Sequence, residues 1–340
     1  MVLRKLTGPN NMAQGQTNKE ALFNEVKGSL FEYLMCRKLA QLAGEELKFV
    51  ESLDKNYLNV LSQQDRMVRQ FYPEMLPFLG KVSEASANEL VKYLGETPHS
   101  PQLIGKFAEI NEADLMLGSS KGRIPLSLKL NKKNAFVNTK SGGIKSFFEI
   151  YFPFIASSVQ QSFNAFVDQE FTRMSYELHA LNDLEFNGDY HQWVKLGKSE
   201  LPGELNEEER KILKSFYARI AIEMHSILSS AQKSENKMFA KSLPALMGFS
   251  SPDILQLVYF HDFKTGAGDG GWTAIHSFQE VEKWLGEALI MPFNYTSSVE
   301  VQMGEWTLGI RVKPMNKFTT TAIKINCSVK FKQFSESSES

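Results

Sequence analysis

Asp114, Ser127 and Lys129 are the residues of this chain whose types and spacing could do chemistry together. Ser127 and Lys129 stand two positions apart, so on a strand both side chains leave the same face. A carboxylate brought beside them is a hard oxygen ligand for a divalent cation. An ammonium within its reach can stabilise charge developing on a phosphodiester. Metal-assisted phosphodiester cleavage is the chemistry such a set would serve. The plainer alternative is a cross-strand ion pair with no catalytic part.

The elements that must position these three are legible around them. Ala113 to Leu117 and Ile124 to Leu130 alternate apolar with polar residues, and the polar stretch Gly118 to Arg123 separates them. Period-2 alternation broken by Gly and Ser predicts a β-hairpin. Asp114 falls on its first strand, Ser127 and Lys129 on its second.

In this form the residues resemble the PD-(D/E)XK nucleases, type II restriction endonucleases in particular. Those enzymes carry an Asp on the first hairpin strand and a Glu/Asp-x-Lys on the second. Here the positions read Ala113-Asp114 and Ser127-Leu128-Lys129, so Ala113 stands for the Pro and Ser127 for the second acid. The segment from Val137 to Phe147 also resembles the family, and the likeness runs from the helix of Glu32 to Phe148. It implies an α/β core, α+β overall, with a restriction-endonuclease-like mixed sheet flanked by helices. It further implies Mg²⁺ as cofactor, double-stranded DNA as substrate, and a homodimer cutting a short palindrome. Asp114 would hold the metal, Lys129 would sit beside the scissile phosphate, and Ser127 would be at most a supporting donor. The acid missing at Ser127 would come from Glu32 on the first helix or, as second choice, from Glu149 after the hairpin. Glu149 could instead pair with Lys145 at i, i+4. The rival to an active nuclease is a non-enzymatic nucleic-acid-binding or structural protein with a degenerate site.

The 340 residues carry a formal net charge of -1, so no global basic field advertises a nucleic-acid partner. A local one exists, because no acid lies between Asp114 and Glu149 while lysines recur. Lys132, Lys133, Lys140, Ser141 and Lys145 are the candidate DNA contacts, with the Ser141 and Gly142 amides gripping a phosphate at the next helix. A solvated face is the ordinary alternative. Cys36 and Cys327 are the only cysteines and offer neither zinc spacing nor a disulfide framework, which fits a reducing cytosol. Met1 to Asn18 is polar without the apolar core of a signal peptide, and no stretch approaches ~18 apolar residues. The expectation is a cytoplasmic protein with no membrane partner.

Helices are expected from Asn18, as N-cap, to Ala43, and over Glu46–Phe71, Ser83–Gly95, Ile155–Ala180 and Asn206–Gln232. The last has the capping box of Asn206 with Glu209. Gly28 inside the first helix suggests a close backbone approach there. Lys106 to Ile110 begins the sheet, Ser141-Gly142-Gly143 opens a helix at Ile144, and Asn182 to Gly203 reads as a polar loop. His179, His191 and His225 lack ligand spacing. Ile254–Phe260 is an apolar run, and Thr265–Gly271 a flexible glycine-rich connection. A short helix over Phe278–Ala288 precedes strands near Val299–Met303, Trp306–Val312 and Thr319–Phe331. The last two form a hairpin with a lysine-rich rim that is either a DNA-reading ribbon or a protected edge. The division expected is 1–18 as a flexible terminus, 19–180 as a nuclease core, 181–334 as a DNA-recognition and core-completing region, and 335–340 as a tail.

Overall fold

A computed structural model describes residues 12–104, 112–261, 271–314 and 316–331, with side chains from residue 23 onward. In chain order the helices are α1 (Met12–Leu42), α2 (Glu46–Glu51), α3 (Lys55–Phe71) and α4 (Met75–Leu94). Strands β1 (His99–Leu103), β2 (Leu115–Ser119), β3 (Gly122–Lys132) and β4 (Val137–Gly143) follow. Then come α5 (Phe147–Tyr151), α6 (Ser157–Ala180), α7 (His191–Lys195), α8 (Glu207–Ser234) and α9 (Asn236–Leu246), and next β5 (Leu255–His261) and β6 (Trp272–Ser277). The chain continues through α10 (Phe278–Glu282), β7 (Leu289–Ile290), β8 (Ser298–Met303), β9 (Trp306–Pro314) and β10 (Ile323–Phe331). The class is α+β. Two compact units divide it, one from Met1–Lys133 with Pro252–Ser277, the other from Asn134–Ser251 with Phe278–Ser340. That division differs from the one drawn at residue 180, which is the last residue of α6 inside the second unit.

The first unit holds a mixed sheet in the order β1-β2-β3-β5-β6. Its β1, β2 and β3 run antiparallel, β3 and β5 pair in parallel, and β6 returns antiparallel to β5. Alternation sends Leu115, Leu117, Leu126, Leu128 and Leu257 to one face, where they join the core of α1, α3 and α4. The expected hairpin is β2 and β3, tightened to a turn at Ser120-Lys121. The segment Lys106–Ile110, expected to start the sheet, lies outside the described residues, as does most of Thr265–Gly271.

Three helix expectations are corrected by local chemistry. α1 already runs at Met12, so Asn18 is inside the helix rather than its cap. The stretch from Glu46 to Phe71 is two helices, because Asp54 accepts from the backbone N–H groups of Asn56 (2.8 Å) and Tyr57 (3.2 Å) and restarts the chain as an N-cap. α4 begins at Met75, earlier than expected, since Pro77 falls in the first turn where its missing N–H has no intrahelical partner to lose. Gly28 packs against no neighbouring backbone: a Cβ built there meets nothing within 4 Å, so the close approach expected there is absent.

The second unit holds an antiparallel sheet in the order β4-β10-β9-β8-β7. α8 packs on β8 and β9, and its capping box is formed as expected: Asn206 Oδ1 accepts from Glu209 N, and Asn206 N donates to Glu209 Oε2, both at 2.9 Å. The stretch read as a polar loop contains α7, and its aromatics are core. Phe186, Tyr190 and Trp193 are buried around the fully buried His179, with ring centroids 4.9, 4.9 and 5.7 Å from it. Val137–Gly143, not foreseen as a strand, is the sheet's edge strand paired with β10. Both cysteines are free and buried, and burial pushes each thiol up to about 12.

Candidate functional site

Asp114, Ser127 and Lys129 meet on the face of the first sheet opposite its leucines. Backbone pairing carries Asp114 N to Leu126 O at 2.8 Å, which sets Asp114 across from Ser127. From there the Asp114 carboxylate reaches over β3. Its Oδ2 accepts from Leu128 N at 2.6 Å, from Ser127 Oγ at 3.4 Å and from Lys129 Nζ at 3.5 Å. The side chains of Lys129 and Asp114 retain 31% and 23% exposure, so the pair is shielded but still reached by solvent. Ser127 is buried to 2% beneath it.

The two oxygens of Asp114 are used differently. Oδ2 carries all three donors, while Oδ1 accepts no hydrogen bond among the described residues. One oxygen thereby fixes the rotamer and holds the cation, and the other stays available as a ligand.

Gln256 was not singled out from the sequence, where it sits inside the apolar run Ile254–Phe260. The parallel register sets it beside Ser127, and β6 then sets His276 beside Gln256. A row of Asp114, just before β2, with Ser127, Gln256 and His276 on β3, β5 and β6 therefore runs along one face, and Gln256 is only 2% exposed. A Gln inside an apolar run was the available signal; its register against Ser127 was not readable locally.

The remaining expected residues are distributed elsewhere. Glu32 is half-buried on α1, one of the helices covering the opposite, leucine-bearing face. Its carboxylate helps raise the Tyr57 hydroxyl on α3, after the larger effect of burial, and it makes no hydrogen bond or ion pair with Ser127 or Lys129. Glu149 is exposed on α5 in the second unit. Lys145 pairs with Asp168 (2.7 Å to Oδ1, 2.8 Å to Oδ2), not with Glu149, so its charge is already matched.

The basic cluster is split. Lys132 and Lys133 belong to the first unit, at the end of β3, where Lys133 N donates to His261 O at 3.0 Å. Lys132 and burial, burial foremost, hold the Lys27 ammonium below its ordinary range. Lys140 and Ser141 lie in β4 of the second unit, and Ser141 Oγ donates to Asn326 Oδ1 at 3.0 Å. The Ser141–Gly142 backbone is strand rather than a helix start, which corrects the phosphate grip expected of its amides; the helical turn opens at Ile144.

Among the described residues, no group of three His, Cys, Asp or Glu gathers as a metal cluster, and no helix is long and apolar enough to cross a membrane. Comparison with protein-family models, with curated proteins and with solved structures gives no match to this chain.

Proposed function

We propose that this chain is a Mg²⁺-dependent endonuclease of restriction type that hydrolyses phosphodiester bonds in double-stranded DNA, working as a homodimer. The observation that carries the reading is the divided use of Asp114, with Oδ2 held by Lys129 and the Leu128 amide while Oδ1 accepts no hydrogen bond among the described residues. Mg²⁺ takes one or two carboxylates and completes its shell with water and substrate phosphate oxygens. The hard oxygens of Asp114, Ser127 and Gln256 on one row fit that demand. When bound there, the ion would supply Lewis acidity to a phosphoryl oxygen.

The chain's own residues have distinct tasks. Ser127 and the Leu128 amide hold the Asp114 carboxylate in place, so its open oxygen is presented without reorganisation. Lys129, held in place by Asp114, donates to the phosphoryl oxygen on which negative charge grows and orients the attacking water. The water oxygen forms the new P–O bond, the bond to the leaving sugar oxygen breaks, the attacking water gives up a proton to solvent, and the leaving sugar oxygen takes one from solvent to become a hydroxyl.

The Asp114–Lys129 ion pair itself also suits a second reading, a nucleic-acid-binding protein in which the two are a structural pair. Plasmid and genomic DNA of varied sequence, incubated with the protein across a Mg²⁺ titration, decide between them. Specific fragments are the expected product; intact DNA at every Mg²⁺ concentration abandons the nuclease. In the same assay Glu32→Gln should behave as wild type, since α1 covers the opposite, leucine-bearing face of the sheet, while Glu149→Gln tests the second candidate for the missing acid. A raised Mg²⁺ requirement in either would restore it as a ligand.

A further inference from the structure

The outward face of the second sheet gathers cations that form no ion pair among the described residues. β9 and β10 pair so that Lys313 faces Lys324 and Arg311 faces Asn326, and β4 extends the second row with Ser141. Alternation sends Ile310, Val312, Ile325 and Cys327 into the core and leaves these polar residues on the other side. Arg311 and Lys313 are two positions apart, about 6.8 Å along the strand, and Lys324 is one strand over, about 4.8 Å away. None of the three makes an ion pair among the described residues. Glu300, opposite Gly309, is the one acid among the outward residues of β4, β8, β9 and β10, and it too is unpaired among the described residues.

Like charges set directly opposite across a ladder oppose folding. Burial first, then Lys324 and Arg311, hold the Lys313 ammonium below the ordinary lysine range. The face is nevertheless firmly built. Phe318, in the β9–β10 connection, is buried against Tyr190 and Trp193, and the neighbouring Lys317 and Thr319 both engage Glu200. Ser141 Oγ occupies the Asn326 carbonyl oxygen, which leaves the Asn326 amide hydrogens as donors. A rigid set of two lysines, an arginine and an amide donor is the set that contacts phosphate oxygens.

We propose that this face binds the phosphate backbone of duplex DNA through Arg311, Lys313, Lys324 and Asn326. The proposal rests on reading the chain as a DNA-cutting protein and assigns it a backbone-gripping surface. A duplex fits better than a single strand because single-strand sites stack successive bases on successive rings. Among the described residues this face presents one ring, Phe136, 37% exposed and lying 3.5 Å from where a Gly309 Cβ would stand.

The test is binding of the full chain to a fluorescent duplex in EDTA, read as affinity against salt. Arg311→Gln, Lys313→Gln and Lys324→Gln together should weaken binding roughly tenfold or more at low salt. They should also reduce the slope of log affinity against log salt by about 2.7, since each phosphate contact contributes about 0.9. Lys211→Gln, Lys214→Gln and Lys237→Gln together remove the same charge from α8 and α9 and should leave the slope intact. Equal slopes for wild type and the first triple variant overturn the proposal. So do equal losses in both triple variants, tighter binding of single strands than of duplex, or no duplex binding by the wild type. If the first triple variant fails to fold, Lys324→Gln alone should lower the slope by about 0.9, and an unchanged slope there overturns it. Binding in EDTA without Mg²⁺-dependent cleavage would sink the nuclease reading and leave this face standing. Cleavage with an unchanged slope in the folded variants would sink this face alone.

Discussion

In the first unit the lysine on the sheet face opposite the leucines, Lys129, is matched by Asp114 across the hairpin. In the second unit Lys313 and Lys324 face each other across β9 and β10 with no acid between them. Both sheets have five strands, and the face that bears Lys129 also buries Val258 and Phe260 on β5, so the difference lies in how each set of cations is matched. A cation paired within the chain contributes little net stability but has a fixed position, which is what an electrostatic role at a reacting centre demands. Unpaired cations on a rigid surface cost stability in the isolated protein, and an external polyanion relieves that cost.

Removing the matched acid has the largest expected effect. Asp114→Asn keeps the shape and an acceptor for Leu128 N but removes the charge. Mg²⁺-dependent cleavage should vanish, while melting shows a loss below about 2 kcal/mol because the pair is partly exposed. Cleavage at the wild-type rate would reduce Asp114 to a cross-strand partner. Lys129→Ala comes next. Loss of one preorganised donor is worth about 10²–10³ in rate, with duplex affinity in EDTA nearly unchanged. A rate within a fewfold of wild type would remove Lys129 from the chemistry.

What could be read from the sequence follows the range of the interactions concerned. The β2–β3 hairpin and the Asn206–Glu209 capping box are made by residues close in sequence, and both were legible as alternation and as a spacing of three. The Asp114–Ser127–Lys129 cluster was legible for the same reason. Gln256 was not, because its place beside Ser127 depends on β3 and β5 pairing in parallel although more than a hundred residues, Asn134–Ser251 among them, separate them in sequence. Val137–Gly143 holds a single large apolar residue, so its strand character comes from pairing with distant β10. Gly28 misled in the opposite way. A helical glycine has a propensity cost whether or not anything packs on it, and here nothing does.

Two local changes calibrate each unit separately. Asn206→Ala removes a capping box from α8 and should lower the stability of the second unit by about 1 kcal/mol. Gly28→Ala fills open space on α1 and should raise that of the first by about 0.8–1.0 kcal/mol. Hydrogen exchange, which reports on each region, should show the two effects in different amides. Both effects appearing together in the same amides would mean that the two units unfold as one cooperative block.

The smallest effect tests the second sheet most directly. Lys313→Gln keeps much of the stem and a polar end but deletes one of the opposed charges, so without DNA the protein should gain about 0.2–1 kcal/mol at neutral pH. The sign of its pH dependence is fixed by the direction of the shift. Lys313 is held below the ordinary lysine range in the folded protein, chiefly by burial and then by Lys324 and Arg311. The folded state therefore binds that proton less tightly than the unfolded chain, and wild type is penalised wherever both states carry it. As pH rises through the depressed folded value towards the unfolded one, the folded protein releases the proton first and the penalty fades. The advantage of Lys313→Gln should accordingly shrink from neutral pH into the alkaline range, and added salt should shrink it at neutral pH by screening the neighbouring cations. Denaturant melts of both proteins across pH and salt measure this. A variant less stable than wild type at neutral pH, or an advantage that grows with pH, would show that Lys313 serves the fold rather than a ligand.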